Sequence, residues 1–324
     1  MLGAILALLS AATFGLNNAA LRRGVLTGSV FQALAVTVLI GVPLFLLMCV
    51  AFGALGALFE FSAAAWIWMS IAGIIHFVVG RYGNYRATEA MGAALSAPIQ
   101  QISLLVALLL AITFLEETLT PLRLMGIVLV MVSPMIILKR RRNGAAARTA
   151  STFEPRYLEG TLWGAMGALG YGTSPLLIRI GLEGGGIVES IAAGFISYLA
   201  ASVVVGGLLL VPANRAELLS LQPTPAGWFA FSGVAVFVSQ VFRYMALAIA
   251  PISVVTTIQR TSVAFRVVFA WALNREHEIL DTRTCVGIGV SLLGILALTL
   301  DTEFVLRHVP LPEAIAALAR LTWP

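Results

Sequence analysis

Apolar runs of about 20 residues recur along the whole chain, and this constrains its fold more than any other feature. A hydrocarbon layer roughly 30 Å thick is crossed by about 20 helical residues, and inside it every backbone N–H and C=O must be satisfied within the segment itself. Helices are the element that meets this demand over a single apolar stretch. Such runs lie near residues 2–21, 31–52, 66–87, 93–115, 122–138, 161–182, 187–211, 228–250, 252–273 and 285–300. The expected fold is therefore all-α, a polytopic membrane protein with ten transmembrane helices. Composition excludes a water-soluble alternative, because 60% of residues are hydrophobic and 11% charged, against roughly 25% charged in soluble domains.

The net charge of +5 and the pI near 9.7 do not point to nucleic acid. The basic residues sit in short connections between apolar runs, where they act as topology signals. The first run, Leu2–Leu21, is followed rather than preceded by Arg22 and Arg23, so it reads as a span and not as a cleaved signal. Cys49 and Cys285 have no metal-ligand spacing and read as small packing residues. His76, His277 and His308 are far apart in sequence. No nucleophile–base pair, paired acids, metal cluster or GxxxxGK phosphate loop is present, so neither an enzyme nor a cofactor is expected.

The longest polar stretch, KRRRNGAAARTASTFEPRYLEG from Lys139 to Gly160, divides the chain into halves. An offset of 157 aligns Gly3 with Gly160, Ala11 with Ala168, Phe14 with Tyr171, Gly15 with Gly172, Arg22 with Arg179, Gly24 with Gly181 and Arg86 with Arg243. Farther along, the offset grows to 159 for Gln100 with Gln259 and to 161 for Glu117 with Glu278 and Gly126 with Gly287. The halves are duplicates. Residues 1–138 form the first five-helix unit, 139–157 a basic linker, 158–300 the second unit and 301–324 a C-terminal tail. Because five is odd, the second copy enters the bilayer upside down relative to the first, as two inverted five-helix repeats. Eleven Lys and Arg residues lie on the side of the linker and four on the other, a distribution that puts the linker in the cytoplasm and both termini outside.

Three stretches resemble a known family. One is LGAILALLSAATFGLNNAALRRG from Leu2 with its copy EGTLWGAMGALGYGTSPLLIRIG from Glu159. The next is GAALSAPIQQISLLVALLLAITFLEETLTPLRLMG from Gly92 with APISVVTTIQRTSVAFRVVFAWALNREHEILDTRTCVG from Ala250. Last come the acids Glu117 and Glu278, each followed nine residues later by Gly126 or Gly287. Over nearly its whole length the chain is similar to EamA-type permeases of the drug/metabolite transporter superfamily. That resemblance implies a secondary transporter in the bacterial inner membrane with both termini cytoplasmic, the opposite of the charge count. The family has Gly before the acid; here Glu116 precedes Glu117 and His277 precedes Glu278.

Ionisable residues inside spans mark the candidate site, because charge exposed to lipid at mid-bilayer costs at least about 2.5 kcal/mol. They are nearly all basic: Arg81 and Arg86, Arg243, Arg260 and Arg266, with His76. Polar companions are Asn17, Asn18, Gln100, Gln101, Gln240 and Gln259. The residues chosen as substrate contacts are Arg260, Gln259, Gln100, Gln101, Asn17, Asn18, His76, Arg86 and Arg243. Arginine matches carboxylate and phosphate with paired donors, so the expected substrate is a small anionic or zwitterionic metabolite, moved by alternating access with export the preferred direction. The first span holds no acid, which argues against organic cations. Arg81 and Arg86 are read as side chains reaching for an interface, Arg266 as a packing residue, and Glu116, Glu117, Glu276 and Glu278 as caps or loop contacts at helix ends. Expected partners are the small-molecule substrate and membrane lipid, with the protein a monomer or homodimer. Two rival readings are an integral membrane enzyme acting on lipid and the permease subunit of a partner-driven transporter.

Overall fold

The computed structural model describes residues 1–25, 27–100, 102–145, 156–273, 282–300, 302, 306 and 312–323. Gln101, residues 146–155 of the linker and the stretch from Asn274 to Asp281, with Glu276, His277 and Glu278, lie outside the described residues.

Helices carry the described chain. The first half contains α1 (Leu2–Gly24), α2 (Val30–Leu39), α3 (Gly41–Ala51), α4 (Ala57–Glu60), α5 (Ala63–Gly73), a π-helical stretch Ile74–Gly80, α6 (Arg81–Gln100), α7 (Ile102–Leu115) and α8 (Pro121–Ala145). The second half contains α9 (Tyr157–Gly181), α10 (Ile187–Leu208), α11 (Pro212–Leu219), α12 (Pro223–Ile249), α13 (Ile252–Gln259), α14 (Ser262–Leu273), α15 (Thr282–Thr299) and, after it, α16 (Glu313–Ala319). Among the described residues the one extended pairing is a single antiparallel bridge between Leu119 and Trp323.

Among the described residues five helical stretches are long and apolar enough to cross a membrane: Leu2–Gly24, Val30–Ala51, Ala63–Ala87, Ile187–Leu208 and Pro223–Ile249. Shorter apolar helices include Ile102–Leu115 and Pro121–Val132. The polarity of the fold is inside out relative to a soluble protein. Leu47, Ile67, Leu105, Leu109, Val203 and Leu293 are exposed, while Ser10, Asn17, His76, Ser103, Ser174 and Arg243 are buried. Lipid removes the hydrophobic penalty from the outer surface, and only the interior offers polar groups a partner.

Local chemistry sets several helix ends. The Ser29 hydroxyl accepts from Gln32 N and the Gln32 amide oxygen accepts from Ser29 N, a capping box that starts α2. Pro212 and Pro223 open α11 and α12, where a missing N–H costs nothing. Glu117 caps α13 from the other half: its carboxylate accepts from Ile252 N at 2.6 Å and from Ser253 N at 3.0 Å. Glu116, where the family pattern has Gly, takes a left-handed φ of 53°. The sequence reading of Glu117 as a helix-end contact agrees with this geometry.

Three of the expected spans differ in detail. α6 continues as one helix from Arg81 to Gln100, across the link expected near 88–92, because the Ala-rich segment there favours helix over loop. The span expected over 252–273 is interrupted at Arg260 and Thr261. There Arg260 N donates to Thr257 O and Thr261 N to Ile258 O, both at 3.0 Å, the tighter i→i+3 pattern. Thr256, Thr257 and Thr261 hydroxyls donate back to the carbonyls of Ile252, Ser253 and Ile258, and such bonds compete with the helical ladder and bend it.

Packing pairs elements across the halves. α1 lies against α12 and α14, and α9 lies against α6 and α7. Under the repeat correspondence these are the same two pairings, each helix having exchanged its half. α8 packs on α15, its own counterpart. Gly83 and Gly167 let the backbones of α6 and α9 meet, since a Cβ on Gly83 would stand 2.8 Å from Gly167 N. At the matching α1–α12 crossing, Ser10 Oγ instead lies 3.2 Å from Ser239 Oγ.

Candidate functional site

One cavity of about 90 Å³ opens where these cross-half pairings meet. A site for one water needs roughly 10–15 Å³ on this measure, so the space has room for a small solute. It is lined by α1 (Ser10, Ala11, Phe14, Asn18), the π-helical stretch (His76), α6 and α7 (Asn84, Gln100, Ser103), α9 (Tyr171), α12 (Ser239, Gln240, Arg243) and the broken span α13–α14 (Thr256, Gln259, Arg260, Ser262, Val263, Arg266). Three repeat-related pairs contribute both of their members: Phe14 with Tyr171, Gln100 with Gln259, and Ser103 with Ser262. The cavity therefore straddles the boundary between the two units.

Its charge is lopsided. Among the described residues the lining holds Arg243, Arg260 and Arg266 and no Asp or Glu, and all three arginines come from the second half. Their counterparts in the first half are Arg86, Gln101 and Ala107. Arg86 lies outside the lining, ion-paired to Glu89 and Glu159, with Arg156 also on Glu159. Arg260 reaches across to the first half: its NH1 donates to Ser103 Oγ at 2.8 Å and to Gln100 O at 3.2 Å. Its Nε is buried with no partner, as are both side-chain atoms of Gln100.

Arg243 is 2% exposed and fixes the direction of a second network. A guanidinium only donates, so NH2 donates to Ser174 Oγ at 2.7 Å and NH1 to Gln240 Oε1 at 3.3 Å. That leaves Gln240 Nε2 to donate toward His76 Nε2, 3.4 Å away. His76 Nε2 is then the acceptor and Nδ1 the donor, to Ser174 Oγ at 2.8 Å. Ser174 completes the chain by donating to Tyr171 O at 3.5 Å, the carbonyl that Pro175 in α9 cannot bond. The His76 ring also packs on Tyr171, with centroids 4.7 Å apart.

Of the residues singled out from sequence, Arg260, Gln259, Gln100, Asn18, His76 and Arg243 share this cavity. Asn17 is not in the lining; its Oδ1 accepts from Ser232 at 2.6 Å and ties α1 to α12. Gln101 lies outside the described residues. Arg266 lines the cavity as well, beyond the packing role expected of it. Arg81 does not reach for an interface. It is 3% exposed, donates to Thr37 and Tyr198 at 3.1 Å, and lies over the Phe77 and Tyr198 rings, which hold a cation without an acid. Sequence reasoning missed Ser10, Asn84, Ser103, Ser239, Thr256 and Ser262 as lining residues. Extending the offset of 159 from Gln100 and Gln259 by three residues pairs Ser103 with Ser262 and would have found both.

The described residues contain no cluster of three or more His, Cys, Asp or Glu able to hold a metal. No curated protein matches the chain. A solved crystal structure of another protein shares 14% sequence identity, covers 92% of this chain and 95% of that one, and superposes with a TM-score of 0.68, which relates the folds alone. The model of the EamA-like transporter family matches twice, over residues 1–139 and 158–300. Those matches meet the duplicated halves that together enclose the cavity, in a protein whose outer surface is built for lipid: the chain is an integral membrane permease belonging to the EamA-like transporter family.

Proposed function

We propose that this protein is a secondary transporter that carries a small anionic or zwitterionic metabolite through the cavity by alternating access. In this reading the chain crosses the membrane ten times as two inverted five-helix units, and the units rock about the cavity they share. The observation that carries it is the pairing at the site: Phe14 with Tyr171, Gln100 with Gln259 and Ser103 with Ser262 all line one space. A binding site on the repeat boundary is where two inverted units can expose it to either side in turn. The arginines of the second half supply the substrate's counter-charge, with Arg260, Gln259, Gln100, Gln101, Asn18, His76 and Arg243 as the contacts. Asn17 and Arg86 support the helices around them.

Export is the preferred direction and the bacterial inner membrane the expected location, with both termini cytoplasmic as in the family. The test is solute flux in liposomes that contain the purified chain and nothing else, loaded with labelled organic acids and amino acids. Saturable exchange above protein-free liposomes is expected. Absence of exchange until a partner ATPase is added would instead make the chain a permease subunit, and chemical conversion of lipid in the same liposomes would make it an enzyme.

A further inference from the structure

Gln240 stands between His76 and Arg243, and its amide has a single oxygen to offer them. Arg243 NH1 donates to that oxygen at 3.3 Å, so the amide nitrogen is turned to His76 Nε2, 3.4 Å away. All three side chains line the cavity. The arrangement holds only while Nε2 carries no proton. An imidazolium donates from both nitrogens, and its Nε2–H would meet the Gln240 amide nitrogen donor against donor. Half a turn of the amide about its last torsion, which is broad and roughly two-fold, gives the oxygen to His76 instead. Arg243 NH1 then loses its acceptor, while NH2 keeps Ser174 Oγ at 2.7 Å. Ser174 serves both states alike, since His76 Nδ1–H donates to it at 2.8 Å in each.

The cations whose charge reaches His76 are Arg243 of α12, Arg81 of α6 and Arg260 at the break after α13, and Arg266 lines the same cavity. The phenols beside it are Tyr171 of α9, on whose ring it packs, and Tyr198 of α10, which accepts from Arg81. An anion held by Arg243 and a proton on His76 attract each other across this pocket. By linkage each raises the affinity for the other by the same factor. We propose that His76 is a proton site coupled to the anionic group of the solute through the Gln240 amide, so that proton and anion bind together. Nε2 takes a proton from water, Gln240 turns its oxygen from Arg243 to the imidazolium, and Arg243 NH1 is released to the solute. Where the solute leaves, the proton returns from Nε2 to water and the amide turns back. Carriage of the two together rests on the transporter reading, whereas their coupled binding does not.

The test measures equilibrium binding of methanesulfonate to the purified full-length protein at about pH 5 and about pH 8, the range in which histidine ordinarily titrates. The charge of this probe is the same at both values, and dimethyl sulfone is its uncharged match in size. Methanesulfonate is expected to bind at least about fivefold more tightly at the lower pH, and dimethyl sulfone to show no such change. His76→Gln should bring that ratio to about one, although His277 and His308 remain. Gln240→Leu leaves Arg243 NH1 free at every pH, so its affinity at the higher pH should rise toward that of wild type at the lower. Nitrogen NMR of the histidine-labelled wild type reads the same coupling without a substitution: at fixed pH, methanesulfonate should convert one imidazole from its Nδ1–H form to imidazolium. Equal affinity at both pH values overturns the coupling, and so does failure of methanesulfonate to bind at either. A ratio kept in a folded His76→Gln protein overturns the assignment to His76. Binding by folded Gln240→Leu that stays weak at the higher pH overturns the part played by the amide. Flux is read separately with a pH-sensitive dye sealed in liposomes, where methanesulfonate entering with a proton acidifies the lumen. Proton-linked binding without acidification leaves the coupled site standing and sinks carriage of the pair.

Discussion

Gly15 backs directly onto Phe265: a Cβ built on the glycine would stand 2.7 Å from Phe265 Cβ and 2.8 Å from Arg266 N. The same contact recurs with the halves exchanged, since a Cβ on Gly172 would stand 2.6 Å from Val106 Cβ. Gly15 and Gly172 are related by the offset of 157, and Val106 and Phe265 by that of 159. One contact has thus been built twice, and in both copies it seats the opening helix of one unit against a cavity-lining helix of the other. Alanine at either position must push backbone apart, and overpacking of this kind costs about 1–3 kcal/mol. Gly15→Ala and Gly172→Ala should each lower the melting temperature of the purified protein. Wild-type melting in both would show that these helices are not held at contact distance.

Glu117 closes the other end of the same assembly by capping α13 with two charge-assisted bonds. Glu117→Ala strips Ile252 N and Ser253 N of their acceptor. A loss of about 1.5–3 kcal/mol is expected, visible as earlier thermal unfolding. A melting curve unchanged from wild type would mean that the cap contributes nothing.

Glu116 occupies a backbone conformation with φ of 53°, in which an L side chain costs roughly 1–2 kcal/mol and glycine costs little. Glu116→Gly should therefore raise stability by about 1 kcal/mol. It restores the residue that the family pattern carries there. A lower melting temperature would show that the Glu116 side chain makes a stabilising contact that outweighs the strain.

Arg243 is a buried cation whose hydrogen-bond partners, Ser174 and Gln240, are both neutral. Burying a cation with no anionic partner carries a desolvation cost, which an apolar side chain of similar volume avoids. Arg243→Met is expected to melt at or above the wild-type temperature while anion binding drops. This opposition of stability and function is what a binding residue, as against a packing residue, produces. A sharp fall in melting temperature would instead show that the Arg243 bonds to Ser174 and Gln240 hold the fold.

Much of this architecture is legible in the sequence, because span length and small-residue spacing are local properties that lipid enforces strictly. The duplication follows from subtraction alone, and it pairs Phe14 with Tyr171 and Gln100 with Gln259, all four of which line the cavity. Burial of a charge inside the membrane was enough to single out Arg243 and Arg260. What the sequence could not supply was the partner of each polar group. Arg86 and Arg243 are equivalent by offset, yet Glu159 draws the first into an ion pair and the second faces the cavity. Arg81 looks no different from either in sequence, and it is the Tyr198 and Phe77 rings, over a hundred residues apart from each other, that bury it. Ser10, Ser239 and Thr256 belong to a class of residue that is common in packed membrane helices, so periodicity gives them no mark. The break after Gln259 escaped notice for a related reason: Thr and Ser bend a helix only when their hydroxyls bond back to it, and that choice belongs to the folded chain.

The central claim is that Arg260 serves the solute and not the fold. Its guanidinium holds Ser103 and the Gln100 carbonyl with NH1, and its Nε faces no protein partner. Arg260→Gln, which gives the second unit the glutamine that the first has at position 101, is the most direct test. Exchange of the solute in liposomes should fall, with affinity weakened roughly tenfold to a hundredfold, while insertion and melting temperature stay at wild-type values. An Arg260→Gln protein that binds and exchanges the solute as wild type does would contradict the account.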